Sequence, residues 1–575
     1  MSDAPLSLAH ILRYGSVVQG ASEAATWNGE GFDRRSYAEV GARAARLAHA
    51  LRDCLGVRTG TRPDSEQSVV GTFMWNNARH LELFLAVPAM GAVLHPHNTR
   101  MPAEQLAYTI RHAGDAVIVV DAGLLKTLAP VLREVSDVVR HVVVAGPDTA
   151  GPAARWTVRG FSGGVHDYEN LIADRPPDYP WEETLDERTA ASICYTSGTT
   201  GNPKGVVFSH RSVYLHCLQV AAPNRYDLTP RDTCFPIVPM FHVNAWSIPQ
   251  AAFFAGAGLL LADRHLGAHD LARVIEEGRP TLGGAVPTVW ASLLTELDTG
   301  RYDTASLRRG IVGGAACPPP LMAAYRDRHS VELLHAWGMT ETSSLMVTAL
   351  PPRGLDSETE WAYRVTQGQF PATVRYRLMR DNGTLAPHDG EATGELQLSG
   401  PCVTRAYHGG VAVPQQQPPG SFTPDGWLRT GDIARVTPDG FLSLVDRVKE
   451  VIKSGGEFIS SVALEGALAE HPAVAEAVVV AVPDDRWGER PLAAVSLRDD
   501  TVEVHCLRDF LAERVAAWMV PERWVLMAEA PKTSVGKYDK RRIQDQYARG
   551  LLDVIHLGQR PARSVPDRPG TTLSE

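Results

Sequence analysis

Short apolar runs rich in β-branched residues alternate along this chain with longer segments whose apolar positions recur at helical spacing. Residues 116–120, 141–145 and 475–481 read as strands bounded by polar or turn residues. Residues 37–51 and 103–112 carry amphipathic helical patterns. Strands interleaved with helices predict an α/β fold with largely parallel sheets. The longest apolar run, 251–262, is too short to span a bilayer and stops at Asp263, so it predicts a buried helix or a helix–strand corner. No repeat of fixed period is present in the sequence.

The alternation breaks in three places. Residues 411–420 contain Pro-Gln-Gln-Gln-Pro-Pro-Gly and predict a surface loop. From about residue 558 the chain has prolines and arginines but few large apolar residues, which predicts a poorly ordered tail. Near 446–449 a strand-like stretch, 440–445, gives way to a turn and then to a helical pattern from about Ser461. The remainder, to about residue 550, has the size of one small domain.

Composition narrows the class. With 44% hydrophobic and 21% charged residues, 575 residues can build a large globular core. Fifty-six basic against 66 acidic residues give a net charge of -10, which disfavours nucleic acid or an anionic membrane as the main partner but leaves room for a local anion site. The seven cysteines form no CxxC pair, so neither a zinc site nor a disulfide framework is expected, and scattered thiols suit a reducing cytoplasm. The N-terminus has no basic stretch leading into an apolar core, so no signal peptide is expected.

The densest candidate chemistry lies at 193–210. Between Thr196 and Gly201 every residue is Thr, Ser or Gly (Thr196, Ser197, Gly198, Thr199, Thr200, Gly201), and Asn-Pro-Lys204-Gly follows, with apolar residues on both sides. Two strands flanking a loop are expected. Glycines let backbone approach a ligand closely, exposed N–H groups and hydroxyls can cradle phosphate, and Lys204 adds a full charge. The spacing is not that of a P-loop, which needs Gly, four residues, then Gly-Lys-Ser/Thr. Taken alone, the tract could equally be a solvated turn.

Tyr195-Thr-Ser-Gly-Thr-Thr-Gly-Asn-Pro-Lys-Gly205 resembles the signature of the adenylate-forming superfamily, which comprises acyl-CoA synthetases, peptide-synthetase adenylation domains and beetle luciferases. Further motifs follow in the family's order to about residue 548. The resemblance implies a large N-terminal α/β region with mostly parallel sheets (1–446), a small mobile α+β C-terminal domain (447–550) and a flexible tail (551–575).

It also implies roles. In Pro239-Met-Phe-His-Val-Asn-Ala-Trp246, His242 would lie near the carboxylate and Trp246 would line the acid pocket. In Val312-Gly-Gly-Ala-Ala316, Gly313 would border the acid, and Gly314 and Ala315 the nucleotide. In His335-Ala-Trp-Gly-Met-Thr-Glu-Thr342, Ala336, Trp337 and Gly338 would pack on the adenylate, Thr340 would bond the α-phosphate, and Glu341 would ligate Mg2+. Trp337 would also border the acid. Asp432 would accept the ribose hydroxyls and Arg447 would support the nucleotide. Lys449 matches the hinge position, and Lys453, Gly455 and Gly456 a segment that admits the thiol. Lys537 matches the lysine that bridges carboxylate and α-phosphate, whereas Lys532 and Lys540 read as surface lysines.

The implied activity is ATP-dependent formation of an acyl-adenylate with release of pyrophosphate, then transfer to CoA. Residues 482–491 and 519–523 look most like those of medium- and long-chain fatty acyl-CoA synthetases, and no carrier domain is present in the chain. Residues 367–373 and the stretch 358–366, with Trp361, Tyr363 and Arg364, depart from the family pattern. An aryl acid, an oxyanion such as nitrite in diazotisation of an aryl amine, or a catalytically silent nucleotide-binding relative are therefore alternatives. Oligomeric state is open.

Overall fold

A computed structural model describes residues 3–146, 157–196, 202–409, 420–447, 450–454, 457–498, 502–533 and 536–557. Most of the loop at 411–420 and the tail from 558 fall outside these. The chain packs as two units, Met1–Leu444 with Ser534–Lys537, and Val445–Thr533 with Tyr538–Glu575.

In the first unit, one sheet runs in the order Gly164–Asp167, His141–Ala145, Asp115–Asp121, Val69–Phe73, Val93–Pro96, Ala190–Tyr195 and Gly205–Ser209. Every pair is parallel except the last, an antiparallel hairpin. Asp115–Asp121 is buried along its whole length, which accounts for its unbroken apolar run. Flanking helices start and stop where local chemistry dictates. Ser36 and Glu39 form a capping box at the start of Tyr37–Asp53, and Gly114, at φ +74°, ends Ala103–Ala113.

Among the described residues a second, longer sheet joins fourteen strands. Its parallel part runs Glu332–Met339, Arg309–Val312, Leu282–Ala285, Thr233–Pro236, Gly258–Leu261 and Glu23–Trp27. The apolar run at 251–262 is a corner: helix Ile248–Ala255 ends at Gly256 (φ +74°) and the chain re-enters as strand Gly258–Leu261. Beyond Met339 the sheet turns antiparallel, through Ser344–Thr348 and on to Arg375–Met379, Gly394–Ser399, Leu428–Val436 and Phe441–Arg447. The alternation of strands and helices does not signal this half. The atypical stretch at 358–366 is helix Ser357–Arg364, whose Trp361 stacks under Arg326 at 4.7 Å and whose Tyr363 bonds Asp439 at 2.9 Å.

The second unit is built on Val474–Asp484 and Gly488–Leu497, an antiparallel pair with Arg523–Leu526 parallel to the latter. Val478, Val480 and Val482 face Ile543 of helix Lys540–Ala548. Ala477 and Val479 face Leu464 and Leu468 of Ser461–Ala469 and Leu507 and Leu511 of Val504–Ala512. Both faces are covered, so alternating polar positions are lost.

Lys540 is not a surface lysine. Its side chain is 16% exposed and its ammonium meets Glu465 Oε1 at 2.8 Å and Ser461 Oγ at 2.7 Å. Ser461 N–H and Oγ–H in turn donate to Asp446 Oδ2 at 2.6 and 2.9 Å. Lys532 is engaged too, with Glu476 and Glu529 at 2.9 and 2.7 Å. Among the described residues no helix is long and apolar enough to cross a membrane.

Candidate active site

Four of the segments singled out in the sequence leave the C-terminal end of a parallel strand: the phosphate tract after Ala190–Tyr195, the 239–246 segment after Thr233–Pro236, the glycine pair after Arg309–Val312, and Trp337 to Glu341 at the end of Glu332–Met339; Gly284 lies in the neighbouring strand Leu282–Ala285. Crevices at such strand ends are where ligands bind in open α/β sheets.

The strands on either side of the phosphate tract form a hairpin. Tyr195 pairs with Gly205, and Thr196 N–H donates to Lys204 O at 2.9 Å, which fixes the neck. Ser197, Gly198, Thr199, Thr200 and Gly201 lie outside the described residues. Gly205 suits the crowded neck, since a Cβ there would stand 3.0 Å from side-chain atoms of His408, Ile193 and Tyr195 at once. Beneath the hairpin is a buried polar cluster: His95 Nδ1 and His97 Nε2 bond separate oxygens of Asp115 at 2.8 and 2.6 Å, and the Tyr195 ring lies 5.0 Å from His95. These are the ligand-type side chains that gather within 4.8 Å of one another among the described residues. Both imidazoles satisfy the carboxylate, so hydrogen bonds account for the cluster.

Glu341 sits in the turn Thr340–Thr342 and is buried. Tyr407 O–H donates to its Oε1 at 2.7 Å, while Lys204 Nζ lies 5.1 Å from the centroid of the Tyr407 ring. Burial, reinforced by the Glu341 charge, holds the Tyr407 phenol well above its ordinary pKa, so it stays a donor. Trp337 Nε1–H donates to Asp432 Oδ2 at 3.1 Å, and both side chains are buried. Gly338 follows a shift in strand register, and a Cβ there would meet the Ser344 carbonyl at 1.9 Å. Only glycine fits.

The 239–246 segment ends in strained backbone. Residues 243–247, none of them glycine, hold φ between +46° and +57°. Left-handed backbone costs such residues roughly 1–2 kcal/mol each. Side chains from two neighbours hold the turn. Asn244 joins Cys194 Sγ (3.2 Å) and Ser192 Oγ (3.3 Å) on the strand leading to the phosphate tract, and Ser247 Oγ bonds His216 Nδ1 at 3.0 Å. The turn places the buried Trp246 ring 3.6 Å from where a Cβ of Gly284 would sit and 3.5 Å from that of Gly313. Two glycines and an indole therefore shape one wall, with Ala336 O 3.3 Å from the Gly313 position.

Lys537 reaches the same strand ends. Its Cε lies 3.2 Å from the Gly314 Cβ position, and Gly314 has φ +87°. Thr288 O–H donates to Gly536 O at 2.8 Å. Burial and the Lys537 charge pull the His242 pKa down to about 3, so its imidazole is neutral at physiological pH. Ala315 is exposed beside Gly314.

Thr196, Lys204, His242, Trp246, Gly313, Gly314, Ala315, Ala336, Trp337, Gly338, Thr340, Glu341, Asp432 and Lys537 all belong to the first unit. Arg447 and Lys453 belong to the second, where both are exposed, and Lys449, Gly455 and Gly456 lie outside the described residues. Sequence reading does not identify Tyr407, Asn244, His216, Gly284 or Thr288. Of these only Gly284 leaves a signal, a Gly-Gly pair within a strand.

Residues 17–408 match the model of the AMP-binding enzyme family, and residues 463–537 match that of the AMP-binding enzyme C-terminal domain. The chain is 38% identical over 550 residues to 3-methylmercaptopropionyl-CoA ligase of Ruegeria pomeroyi, covering 94% of this chain and 97% of that one. It is 38% identical over 553 residues to long-chain-fatty-acid–CoA ligase of Thermus thermophilus, covering 95% and 96%. The structure of anthranilate CoA ligase AuaEII in complex with anthranoyl-AMP shares the fold, with TM-score 0.82 at 23% identity over 96% of this chain and 100% of that one. Family match, near full-length relatives and shared fold agree: the chain belongs to the AMP-binding enzyme family, within the adenylate-forming superfamily.

Proposed function

We infer that the chain is an ATP-dependent, AMP-forming acid–thiol ligase, which joins a carboxylic acid to AMP with release of pyrophosphate and passes the acyl group to CoA. The observation that carries the reading is the approach of Lys537 to Gly314 beside a neutral His242, next to a turn whose Asn244 bonds the strand leading to the phosphate tract.

A carboxylate resists attack because its leaving group would be oxide. If a carboxylate oxygen attacks the α-phosphorus of ATP, the P–O bond to pyrophosphate breaks and the acid now carries AMP as its leaving group. A thiolate sulfur then attacks the acyl carbon and AMP departs. Negative charge crowds at the first step. Lys537 bridging carboxylate and α-phosphate, with Thr340 donating to the phosphate, would offset it, and a donor of this kind contributes roughly 2.7–4 kcal/mol. His242, being neutral, would orient the carboxylate by hydrogen bonding. The hairpin and Lys204 would hold the β- and γ-phosphates, Trp337 would cover the adenylate, and Asp432 would take the ribose hydroxyls. Glu341 supplies the hard, anionic oxygen that Mg2+ prefers, so the donor set fits. The ion would be held by Glu341 together with phosphate oxygens, where it would screen their charge.

We place the second half-reaction on residues 447–550, hinged at Lys449, with Arg447 supporting the nucleotide and Lys453, Gly455 and Gly456 admitting the thiol. The cytoplasm suits seven free cysteines. Relatives named for 3-methylmercaptopropionate and for medium- and long-chain fatty acids support an aliphatic acid over an aryl one. ATP–pyrophosphate exchange across aliphatic acids, aryl acids and nitrite, with and without CoA, tests the reading. Exchange with an aliphatic acid and a CoA thioester by mass spectrometry is expected. Exchange with nitrite alone, or with none of the panel, overturns it.

A further inference from the structure

We propose that Tyr407 is a positioning residue for adenylation, orienting Glu341 through its hydroxyl and Lys204 through its ring. The inference rests on the reading of Glu341 as a metal ligand and of Lys204 as a phosphate ligand.

The three residues come from distant parts of the sequence. Lys204 ends the phosphate tract, Glu341 lies in the turn after Glu332–Met339, and Tyr407 is 66 positions further on. The segment carrying Tyr407 is bonded to both. On one side Thr404 N–H donates to Glu341 O at 2.8 Å and Ser343 O–H to Cys402 O at 2.9 Å. On the other, His408 N–H donates to Gly205 O at 2.7 Å, at the neck of the hairpin. Tyr407 stands between these anchors, with Phe422 edge-on to its ring at 5.9 Å. Its backbone is therefore fixed relative to both neighbours before any ligand binds.

Besides the Phe422 edge and a hydrogen bond with Ser421, the side chain makes two contacts of different kind. Its O–H bonds Glu341 Oε1 at 2.7 Å, and its ring faces the Lys204 ammonium at 5.1 Å. A carboxylate and an ammonium brought near one ligand tend to neutralise each other. A phenol serves both without pairing them with each other: the hydroxyl donates to the acid and the π face attracts the base. The hydroxyl engages one carboxylate oxygen and so sets the plane in which the other is presented, the way outer groups orient metal ligands elsewhere. Phenylalanine would keep the π face without the donor, and an aliphatic residue would keep neither.

The full-length Tyr407→Phe and Tyr407→Leu variants separate these effects. Two readouts suffice: Mn2+ binding by electron paramagnetic resonance in the presence of α,β-methylene ATP, and binding of the same analogue in EDTA by calorimetry. Tyr407→Phe keeps the ring, so Mn2+ affinity should fall about tenfold while metal-free analogue binding is unchanged. Tyr407→Leu should weaken both. A near-ultraviolet dichroism spectrum like that of the parent establishes that each variant is folded. The Glu341→Gln variant serves as control. If it weakens Mn2+ binding and Tyr407→Phe does not, the Tyr407 inference alone is overturned. If Glu341→Gln also leaves Mn2+ binding intact, the metal reading fails and the inference falls with it.

Discussion

Trp337 and Asp432, ninety-five positions apart, are joined by an indole N–H to carboxylate hydrogen bond of 3.1 Å. One side chain is read as the cover of the adenylate and the other as the partner of the ribose. The bond makes them one unit, because Asp432 cannot rotate without losing a donor and both are buried. A hydrogen bond to a charged group contributes about 1.5–3 kcal/mol. Trp337→Phe keeps an aromatic cover and removes the donor, so KM for ATP should rise about tenfold or more with a smaller fall in kcat. Equal loss in kcat with KM unmoved would show that the pair does not hold the ribose site.

Lys537→Ala should separate the half-reactions. Adenylation, followed by ATP–pyrophosphate exchange, should fall by about two to three orders of magnitude, the usual cost of removing one charge-stabilising donor. Thioester formation from supplied acyl-adenylate and CoA should stay near the parent rate, because the carboxylate and phosphate are already joined. Parallel loss of both would place Lys537 in a structural role instead.

What the sequence makes legible are the segments whose chemistry is contiguous. The Thr/Ser/Gly tract, Gly313-Gly314 and Trp337 to Glu341 each leave one strand end, and as contiguous motifs they carry the family resemblance on which the reading rests. Relationships across the chain are not legible. Nothing local marks Tyr407 as the partner of Glu341, because the pairing exists only once two segments are bonded side by side. The left-handed turn at 243–247 is equally hidden. None of its residues favours positive φ as glycine does, and Asn244 and Ser247 hold it through side chains that belong to other elements. Lys540 misleads for the opposite reason. A lysine opening a polar helix reads as solvated, and only the fold brings Glu465 and Ser461 to it.

The Lys540 cluster predicts a stability effect in the second unit. Glu465 and Asp446 both have pKa values raised by burial, with Lys540 opposing the rise. Removing the cation leaves two buried acids without it. Lys540→Ala should therefore destabilise by about 3–5 kcal/mol, the range for breaking a buried ion pair from one side. Adding Glu465→Gln should restore part of that loss. Urea denaturation of the full chain, followed by hydrogen exchange of amides in Val474–Asp484 and Gly488–Leu497, measures both. Additive losses in the double variant would mean that the two residues do not interact.

His216 predicts a dependence of stability on pH. Its Nε2 bonds the Leu345 carbonyl at 3.0 Å, which can only accept, so Nε2 carries the proton and Nδ1 accepts from Ser247 O–H. Burial pulls the pKa of this imidazole down to about 4. Between the ordinary histidine value near 6.5 and about 4, the unfolded chain binds a proton here that the folded chain refuses. Stability from this group is thus complete above the unfolded value and falls as pH drops through the window, by up to about 1.4 kcal/mol per pH unit. Asp121, pushed up to about 7 chiefly by burial, contributes with the opposite sign over much of the same range. The informative quantity is therefore the difference between parent and His216→Gln denaturation profiles from pH 7 to 4.5. The variant should be less stable at pH 7 and lose less on acidification, since glutamine cannot titrate. Parallel profiles would mean that His216 is protonated in the folded chain and donates to both the Leu345 carbonyl and Ser247 Oγ.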